Sequence, residues 1–239
     1  MERLVSGIAV LIIAAVHIIF PLFDQLEPKR RHNITSLAGG IAIGYVFLSL
    51  LPKLSDYTQI IIQRNQEGWE FFHYRTFLLA LAGLVTYLTV YWSSSFHETK
   101  LYHVVIYGIG FSVYNVITGY ILANLPRPGL LPYILAVIVL GLHFLGVDHQ
   151  LRHWHLGFFD RLLRWLLAAA LVSGWVAGVT IDFPPAALMY TISFFAGAII
   201  INVMTEEIPE LEEGGYSFFL LGILLIIIAA MIVRSIPKA

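Results

Sequence analysis

Eight long apolar runs, separated by short polar stretches, make up nearly the whole chain. Each run holds about 20 residues, the length that crosses the hydrocarbon core of a bilayer as a helix. The apolar residues occupy every side of these runs instead of alternating with polar ones, which favours helices over the strands of a membrane barrel. The pattern predicts transmembrane spans at residues 4–23, 34–54, 74–92, 101–125, 130–148, 162–179, 186–206 and 216–233.

Composition supports the same class of protein. Hydrophobic residues make up 59% of the 239 residues and charged residues only 12%, whereas soluble domains carry about 25% charge. We therefore predict an all-α, multi-pass integral membrane protein that forms one domain over residues 1–239. The net charge of −1 gives no indication of a nucleic-acid partner, and we expect none. Because the chain has no cysteine, a metal would be bound by His, carboxylate, Asn or backbone groups.

Two stretches of the chain repeat one another. Residues 37–54, LAGGIAIGYVFLSLLPKL, and residues 194–211, FFAGAIIINVMTEEIPEL, align on their prolines. The matched pairs are Ser36 with Ser193, Gly40 with Gly197, Val46 with Val203, Pro52 with Pro209 and Leu54 with Leu211. Span 2 is even-numbered and span 7 odd-numbered, so they cross the membrane in opposite directions. This predicts a 3+2+3 inverted repeat, in which spans 4 and 5 stand between the related halves, as in many secondary transporters.

Polar residues in spans 4 and 5 are the first candidates for a functional site. Asn115 and Thr118 share a helix face, and their alternative role is hydrogen bonding to neighbouring helices. His143 lies well inside span 5, and an ionisable residue within the membrane indicates a functional site. A neutral histidine bonded to a backbone carbonyl is the other interpretation of His143.

Asp148 is a further candidate in span 5. On an ideal helix it lies about 140° around the axis from His143, so the two share a ligand face only if the helix bends, as Gly146 would allow. Asp148 and Arg152 are spaced i,i+4, the arrangement of an ordinary surface ion pair. We favour that ion pair over a metal-binding role for Asp148.

Span 7 ends in carboxylates. Glu206 shares a face with Asn202 and Thr205, and it either faces the bundle or lies solvated at the membrane interface with the acids that follow it. His17 in span 1 and His103 at the start of span 4 are also candidates, but neither has a recognisable partner in the sequence.

The chain resembles the ZIP family of divalent metal transporters over most of its length. Residues 37–54 are similar to the family's second span, which ends in Leu-Leu-Pro, and residues 194–211 to its seventh, which ends in a carboxylate followed by Pro-Glu. YNVITG, residues 114–119, lies where the fourth span carries His-Asn, two residues, an acid and Gly. HFLGVD, residues 143–148, lies where the fifth carries His-Glu, two residues and His-Glu. The resemblance implies eight spans in the 3+2+3 arrangement.

The chain departs from the family at several motif positions. Tyr114 replaces a histidine, Gly146 replaces a proline, and Phe144 and Val147 replace a carboxylate and a ligand. The resemblance therefore does not imply a binuclear zinc centre but a single, reduced site. Its implied metal ligands are Asn115, His143, Asp148, Glu206 and Thr118.

The leading functional hypothesis is a ZIP-like permease whose cargo is a divalent metal ion, Zn or else Fe or Mn, with no permanently bound cofactor and no enzymatic activity. One alternative is a divergent, non-transporting ZIP-like protein with a structural, sensing or partner-binding role. Another is an intramembrane zinc-dependent lipid hydrolase. The basic loop at 29–31 favours the cytoplasm for that loop, and hence both termini outside, in the plasma (inner) membrane. A homodimer is one option for its assembly.

Overall fold

The computed structural model of the chain describes residues 2–64, 74–95, 101–125, 129–154, 156–207 and 215–235. Among these residues, eight helices are long and apolar enough to cross a membrane, which confirms the predicted all-α bundle. Three of them pass through a π-helical turn. In chain order they are α1 (Glu2–Phe23), α2 (Pro28–Tyr45, the π-turn Val46–Leu50 and Leu51–Arg64), α3 (Arg75–Ser95), α4 (Leu101–Ala123), α5 (Leu130–Trp154), α6 (Leu156–Phe158, the π-turn Phe159–Leu163 and Arg164–Thr180), α7 (Pro185–Asn202 and the π-turn Val203–Glu207) and α8 (Gly215–Ser235).

Helix α2 is longer than the predicted span 34–54. It begins at Pro28, because a proline at the first turn of a helix has no need of its missing N–H and already has a helical φ angle. It continues to Arg64 because the segment Leu51–Arg64 is amphipathic and retains helical periodicity beyond the membrane core. Polar residues flanking an apolar run are helical here, which hydropathy alone does not reveal.

The helices pack as four parallel pairs that the inverted repeat relates to one another. The pair α2 and α8 corresponds to α7 and α3, and the pair α1 and α5 corresponds to α6 and α4. In each correspondence, a helix of the first half of the chain takes the place of a helix of the second half, and the reverse. The packing therefore follows the symmetry that the sequence echo predicts.

Glycines at matching positions allow the closest helix contacts. A Cβ atom at Gly40 would overlap the carbonyl oxygen of Phe219 on α8, and one at its repeat mate Gly197 would overlap that of Ala80 on α3. Reciprocal contacts lie one turn away, from Gly222 to the carbonyl of Leu37 and from Gly83 to that of Phe194. Small residues let helix backbones approach closely in membranes, where packing replaces the hydrophobic effect between helices.

The two repeats also share their irregular features. The π-turns Val46–Leu50 and Val203–Glu207 occupy the same positions in the register that aligns Pro52 with Pro209. Pro28 and Pro185, which open α2 and α7, align in that register as well. Such π-turns are rare in proteins, and those that occur are often found at functional sites. Their recurrence here indicates that the two halves of the fold share this backbone geometry.

Charged residues gather at the end of the bundle where α1 meets α5. Asp24 forms ion pairs with Arg31 of α2, at 3.0 Å, and with Arg152 of α5. Arg152 also binds Asp160 through two nitrogens, at 2.9 and 3.1 Å, and His149 lies 3.6 Å from Asp24. These pairs join four helices at this end of the membrane domain.

Candidate functional site

Three fully buried polar side chains form a cluster that links three helices. His17 of α1, Asn115 of α4 and Asp148 of α5 each expose 0% of their surface. His17 Nδ1 lies 2.9 and 2.8 Å from the two carboxylate oxygens of Asp148, and Nε2 lies 3.1 Å from Asn115 Oδ1. A buried carboxylate in an apolar bundle is costly unless it is paired and hydrogen-bonded, and His17 provides that partner.

The orientation of the Asn115 amide is fixed by a second hydrogen bond. Its Nδ2 donates to the backbone carbonyl of Phe111 at 2.9 Å. If the amide were flipped, two carbonyl oxygens would face each other there, so the oxygen of Asn115 must be the atom that faces His17. The imidazole of His17 is thus held on both sides.

The predicted ion pair between Asp148 and Arg152 is wrong. Asp148 binds His17, while Arg152 binds Asp24 and Asp160 at the end of the bundle. Helical spacing permitted the i,i+4 contact, but the side chain of Asp148 faces α1, and Arg152 extends toward carboxylates outside the apolar core. Tertiary contacts therefore chose the partners of both residues.

His143 faces a different region from Asp148, as its helical phase predicts. It is 7% exposed and lines an aromatic cavity of about 140 Å³ between α3, α4, α5 and α7. Its ring meets the edge of the Tyr114 ring at a centroid distance of 6.1 Å. The structure therefore does not bring His143 and Asp148 into one ligand set.

A second polar cluster, formed by Tyr87, Asn202 and Gln150, borders the aromatic cavity. The hydroxyl of Tyr87 donates to Asn202 Oδ1 at 2.5 Å, and Gln150 Nε2 donates to the Tyr87 hydroxyl at 3.2 Å. Tyr87 and Asn202 both line the cavity, together with His143. The spacing in span 7 singled out Asn202, but it gave no sign of Tyr87 or Gln150 as partners.

A wider cavity of about 430 Å³ lies between α2, α4, α5, α7 and α8. The predicted site residue Thr118 is buried and lines it. Lys53 and Asp56 of α2 and Arg234 near the end of α8 border the wide cavity. Along α4 the aromatic cavity extends from Tyr114 toward the N-terminal end and the wide cavity from Tyr114 toward the C-terminal end, so the two occupy opposite halves of the bundle.

Three side chains line both cavities: Tyr114 of α4 and Phe195 and Ile199 of α7. They form the layer that separates the wide cavity from the aromatic cavity. Tyr114 stacks on Phe195 with 6.4 Å between ring centroids. Tyr114 therefore lies between the two cavities.

The last predicted ligand, Glu206, belongs to the π-turn Val203–Glu207, and its side chain lies outside the described part of the structure. Within the described residues, no three His, Asp or Glu side chains form a group that could hold a metal ion. The five predicted ligands thus separate into Asn115 and Asp148 beside His17, His143 and Thr118 on different cavities, and Glu206, whose side chain is not described.

Sequence reasoning named His17 as a candidate but missed its partners, Asp148 and Asn115. Its signal was its position, because an ionisable residue inside an otherwise apolar span requires a buried partner. The partner's identity was inaccessible, since it lies 131 positions away in the chain. A comparison of the chain with known family models and with curated proteins found no match.

Proposed function

We propose that this protein is a ZIP-like membrane permease for a divalent metal ion such as zinc. The observation that carries the proposal is the arrangement of two cavities in opposite halves of an inverted-repeat bundle, separated by Tyr114, Phe195 and Ile199. A thin layer between two cavities at the repeat interface is what alternating access requires, because rocking one half against the other moves the layer and changes which side is open.

The polar groups near this layer are suited to a cation. His143 and Asn202 line the aromatic cavity, and imidazole nitrogen and amide oxygen both bind first-row divalent metals. Asp148 lies one helix face away from His143, paired with His17. The ligands inferred from the family resemblance are therefore divided between the aromatic cavity, which His143 lines, and the buried pair of His17 and Asp148. This division favours an ion that contacts the ligands one after another, instead of an ion held permanently in one closed centre.

The basic segment Lys29 to Arg31 at the start of α2 supports a cytoplasmic position for the loop between α1 and α2. Both termini then lie on the other side of the plasma (inner) membrane. The wide cavity would face that side, since the C-terminal halves of α4 and α8 border it. In the described conformation the permease would be more open to the non-cytoplasmic side.

Metal flux tests the proposal directly. Purified protein in liposomes that contain a metal-sensitive dye should take up Zn²⁺, Fe²⁺ or Mn²⁺ faster than protein-free liposomes. Ile199→Trp should block uptake, because the added ring fills the layer between the cavities. Leu224→Trp, on the exposed face of α8, is the matched control and should retain uptake. A wild-type rate equal to that of empty liposomes would overturn the proposal.

Alternating access can be tested by thiol labelling. Because the chain has no cysteine, a single introduced cysteine is the only thiol that is labelled. The variant Ser49→Cys places a thiol at the wide cavity, and the variant Gly110→Cys places one at the aromatic cavity. Saturating metal should change thiol labelling at the two positions in opposite directions. Labelling that is unaffected by metal at both positions would favour the non-transporting alternative.

A further inference from the structure

The charged residues of the wide cavity lie together at one end of it. Gly40 of α2 packs against Phe219 of α8, and Gly44, one turn on, packs against Ile226. The two helices therefore run parallel, and the residues that follow on both helices lie at the same end of the bundle. We call this end of the cavity the mouth. Its charged residues are Lys53, Asp56 and Arg234.

Lys53 is a charge of the mouth that has no ion-pair partner among the described residues. Its side chain is half-buried, whereas Asp56 is exposed and Arg234 donates to the Leu48 carbonyl at 2.8 Å. Ionisable residues within a membrane span usually pair with an opposite charge. Two positive charges and one negative charge give the described mouth a net charge of +1. A ligand with a single negative charge would balance it.

The interior of the wide cavity is suited to a hydrocarbon chain. Beyond the mouth, the polar side chains of the described lining are hydroxyls only, those of Tyr45, Ser49, Tyr114 and Thr118. The cavity follows α4 from Leu122 to Tyr114, a rise of about 12 Å at roughly 1.5 Å per residue. Its volume of about 430 Å³ lies within the range of about 300–1,000 Å³ that is typical of small-molecule sites. One charged end and an apolar interior match an amphiphile.

We propose that the wide cavity is a binding site for a single-chain fatty acid. The carboxylate would lie in the mouth between Lys53 and Arg234, and the chain would extend along α4 toward Tyr114. The inference goes beyond the permease proposal and does not depend on it, because it uses only this cavity and the charges at its mouth. In a permease, the acid would fill the open cavity and exclude the metal from it, so it would act as an inhibitor.

The charge of the mouth favours a carboxylate over other lipid headgroups. A carboxylate carries one negative charge, and its two oxygens match the fork of an arginine guanidinium. A phosphate monoester carries about −1.5 to −2 charges near pH 7, which would exceed the net charge of the mouth and repel Asp56. A quaternary ammonium would be repelled by Lys53 and Arg234.

The inner end of the wide cavity favours a plain hydrocarbon tail. The layer of Tyr114, Phe195 and Ile199 separates this end from the aromatic cavity, so the tail would end against these side chains. A second charge at the far end of the ligand would be buried there without a partner, which is costly. We therefore expect a monocarboxylate with one charged end.

Native mass spectrometry of the purified full-length protein in a neutral detergent tests the site with palmitate as the probe. The wild type should bind one palmitate about 10-fold more tightly than hexadecanol, which has a chain of the same length and no charge, because hydrogen bonds between charged groups are the stronger ones. Palmitate should also bind more tightly than hexadecyltrimethylammonium, which has a cationic head, and dipalmitoylphosphatidylglycerol, which has a second chain.

Variants of the mouth should move the affinity for palmitate in opposite directions. Lys53→Gln should weaken palmitate binding about 5- to 10-fold, and Asp56→Asn should strengthen it about 2- to 5-fold, since the first removes an attractive charge and the second a repulsive one. Both should leave hexadecanol binding within about twofold of the wild type. Lys29→Gln, at an exposed position at the other end of α2, is the matched control and should leave the binding of both probes unchanged.

A filled cavity should bind neither probe. Ala230→Trp adds a ring to the lining of the wide cavity and should abolish the binding of palmitate and of hexadecanol. Leu224→Trp, on the exposed face of α8, is its control and should retain both. Hexadecanol also guards against misfolding, because a Lys53→Gln protein that binds hexadecanol as the wild type does has an intact cavity.

Several results would overturn the site. They are equal affinity of the wild type for palmitate and hexadecanol, tighter binding of the cationic or the two-chain lipid, and wild-type affinity for palmitate in Lys53→Gln or in Ala230→Trp. If Lys53→Gln fails to bind hexadecanol, Asp56→Asn decides, and an affinity for palmitate that is not increased would overturn the site.

These outcomes separate the two proposals. Palmitate bound through Lys53, with no metal flux in liposomes, would leave the site standing and overturn the permease. Metal flux in the wild type, together with palmitate binding that Lys53→Gln leaves unchanged, would overturn the site and leave the permease standing.

Discussion

The two cavities are related by the same exchange as the helices, yet they differ in size and chemistry. The wide cavity lies against α2 and α8 and the aromatic cavity against their repeat mates α7 and α3. One has a volume of about 430 Å³ and a charged border, and the other about 140 Å³ and a lining of aromatic and small residues. A symmetric scaffold thus holds two unequal spaces.

The two cavities differ because the repeat preserves the positions where helix backbones touch but not the side chains that line the cavities. Backbone contacts recur, as at Gly40 and Gly197, because helices that pack this closely tolerate no side chain. Side chains that face the cavities do not recur. Tyr45 lines the wide cavity, whereas the residue at the same repeat position, Asn202, binds Tyr87 in the other half. On the permease proposal, this inequality is one half of an alternating-access cycle, with the wider cavity as the open one.

The largest expected effect comes from the buried contact between His17 and Asp148, which are lining residues of neither cavity. His17→Ala should destabilise the fold by about 3–5 kcal/mol, because it leaves the Asp148 carboxylate buried without its partner. Thermal and denaturant unfolding in detergent would measure the loss. The double variant His17→Leu/Asp148→Leu removes both polar groups and should recover most of the stability. A single variant as stable as the wild type would contradict a buried, paired carboxylate.

Gly40→Ala and Gly197→Ala test the symmetric part of the comparison. Each should cost about 1–3 kcal/mol, since the added methyl group overlaps a carbonyl oxygen of the neighbouring helix. The two losses should be nearly equal because the contacts are repeat mates. Gly110→Ala is the control: an added Cβ there meets no atom within 4 Å. Unequal losses would show that the halves pack differently.

Tyr87→Phe tests the asymmetric part, in the aromatic half. It removes a hydroxyl that joins Asn202 to Gln150, and we expect a loss of about 1 kcal/mol, typical of hydrogen bonds between membrane helices. Unfolding of Tyr87→Phe, Asn202→Leu and the double variant gives the coupling energy. Additive losses would mean that the two side chains do not interact.

The smallest effect is expected from Arg234, which borders the wide cavity. Arg234 donates from Nη2 to the Leu48 carbonyl at 2.8 Å, on the exposed end of α8. Arg234→Gln should change stability by no more than about 0.5 kcal/mol, as is usual for surface positions. The same unfolding assay checks it. A loss as large as that of Tyr87→Phe would remove the contrast between the two halves.

The sequence by itself determined the architecture. Eight apolar runs predict eight membrane helices because a bilayer leaves few other structures for such segments. The echo between 37–54 and 194–211 predicts the inverted repeat, and the recurrence of glycines, prolines and π-turns in one register bears this out. These features are encoded locally, in hydropathy and in residues that fix the backbone.

Only the tertiary structure decided which polar side chains meet. Helical phase correctly separated His143 from Asp148, but the same reasoning wrongly paired Asp148 with Arg152. The partner of Asp148 is His17, from a helix distant in the chain. Choosing among partners depends on which faces of α1, α4 and α5 turn toward each other, and that is set by close packing of the whole bundle. A buried charge pairs with a side chain that this packing brings within reach, because leaving the charge unpaired in an apolar interior is costly.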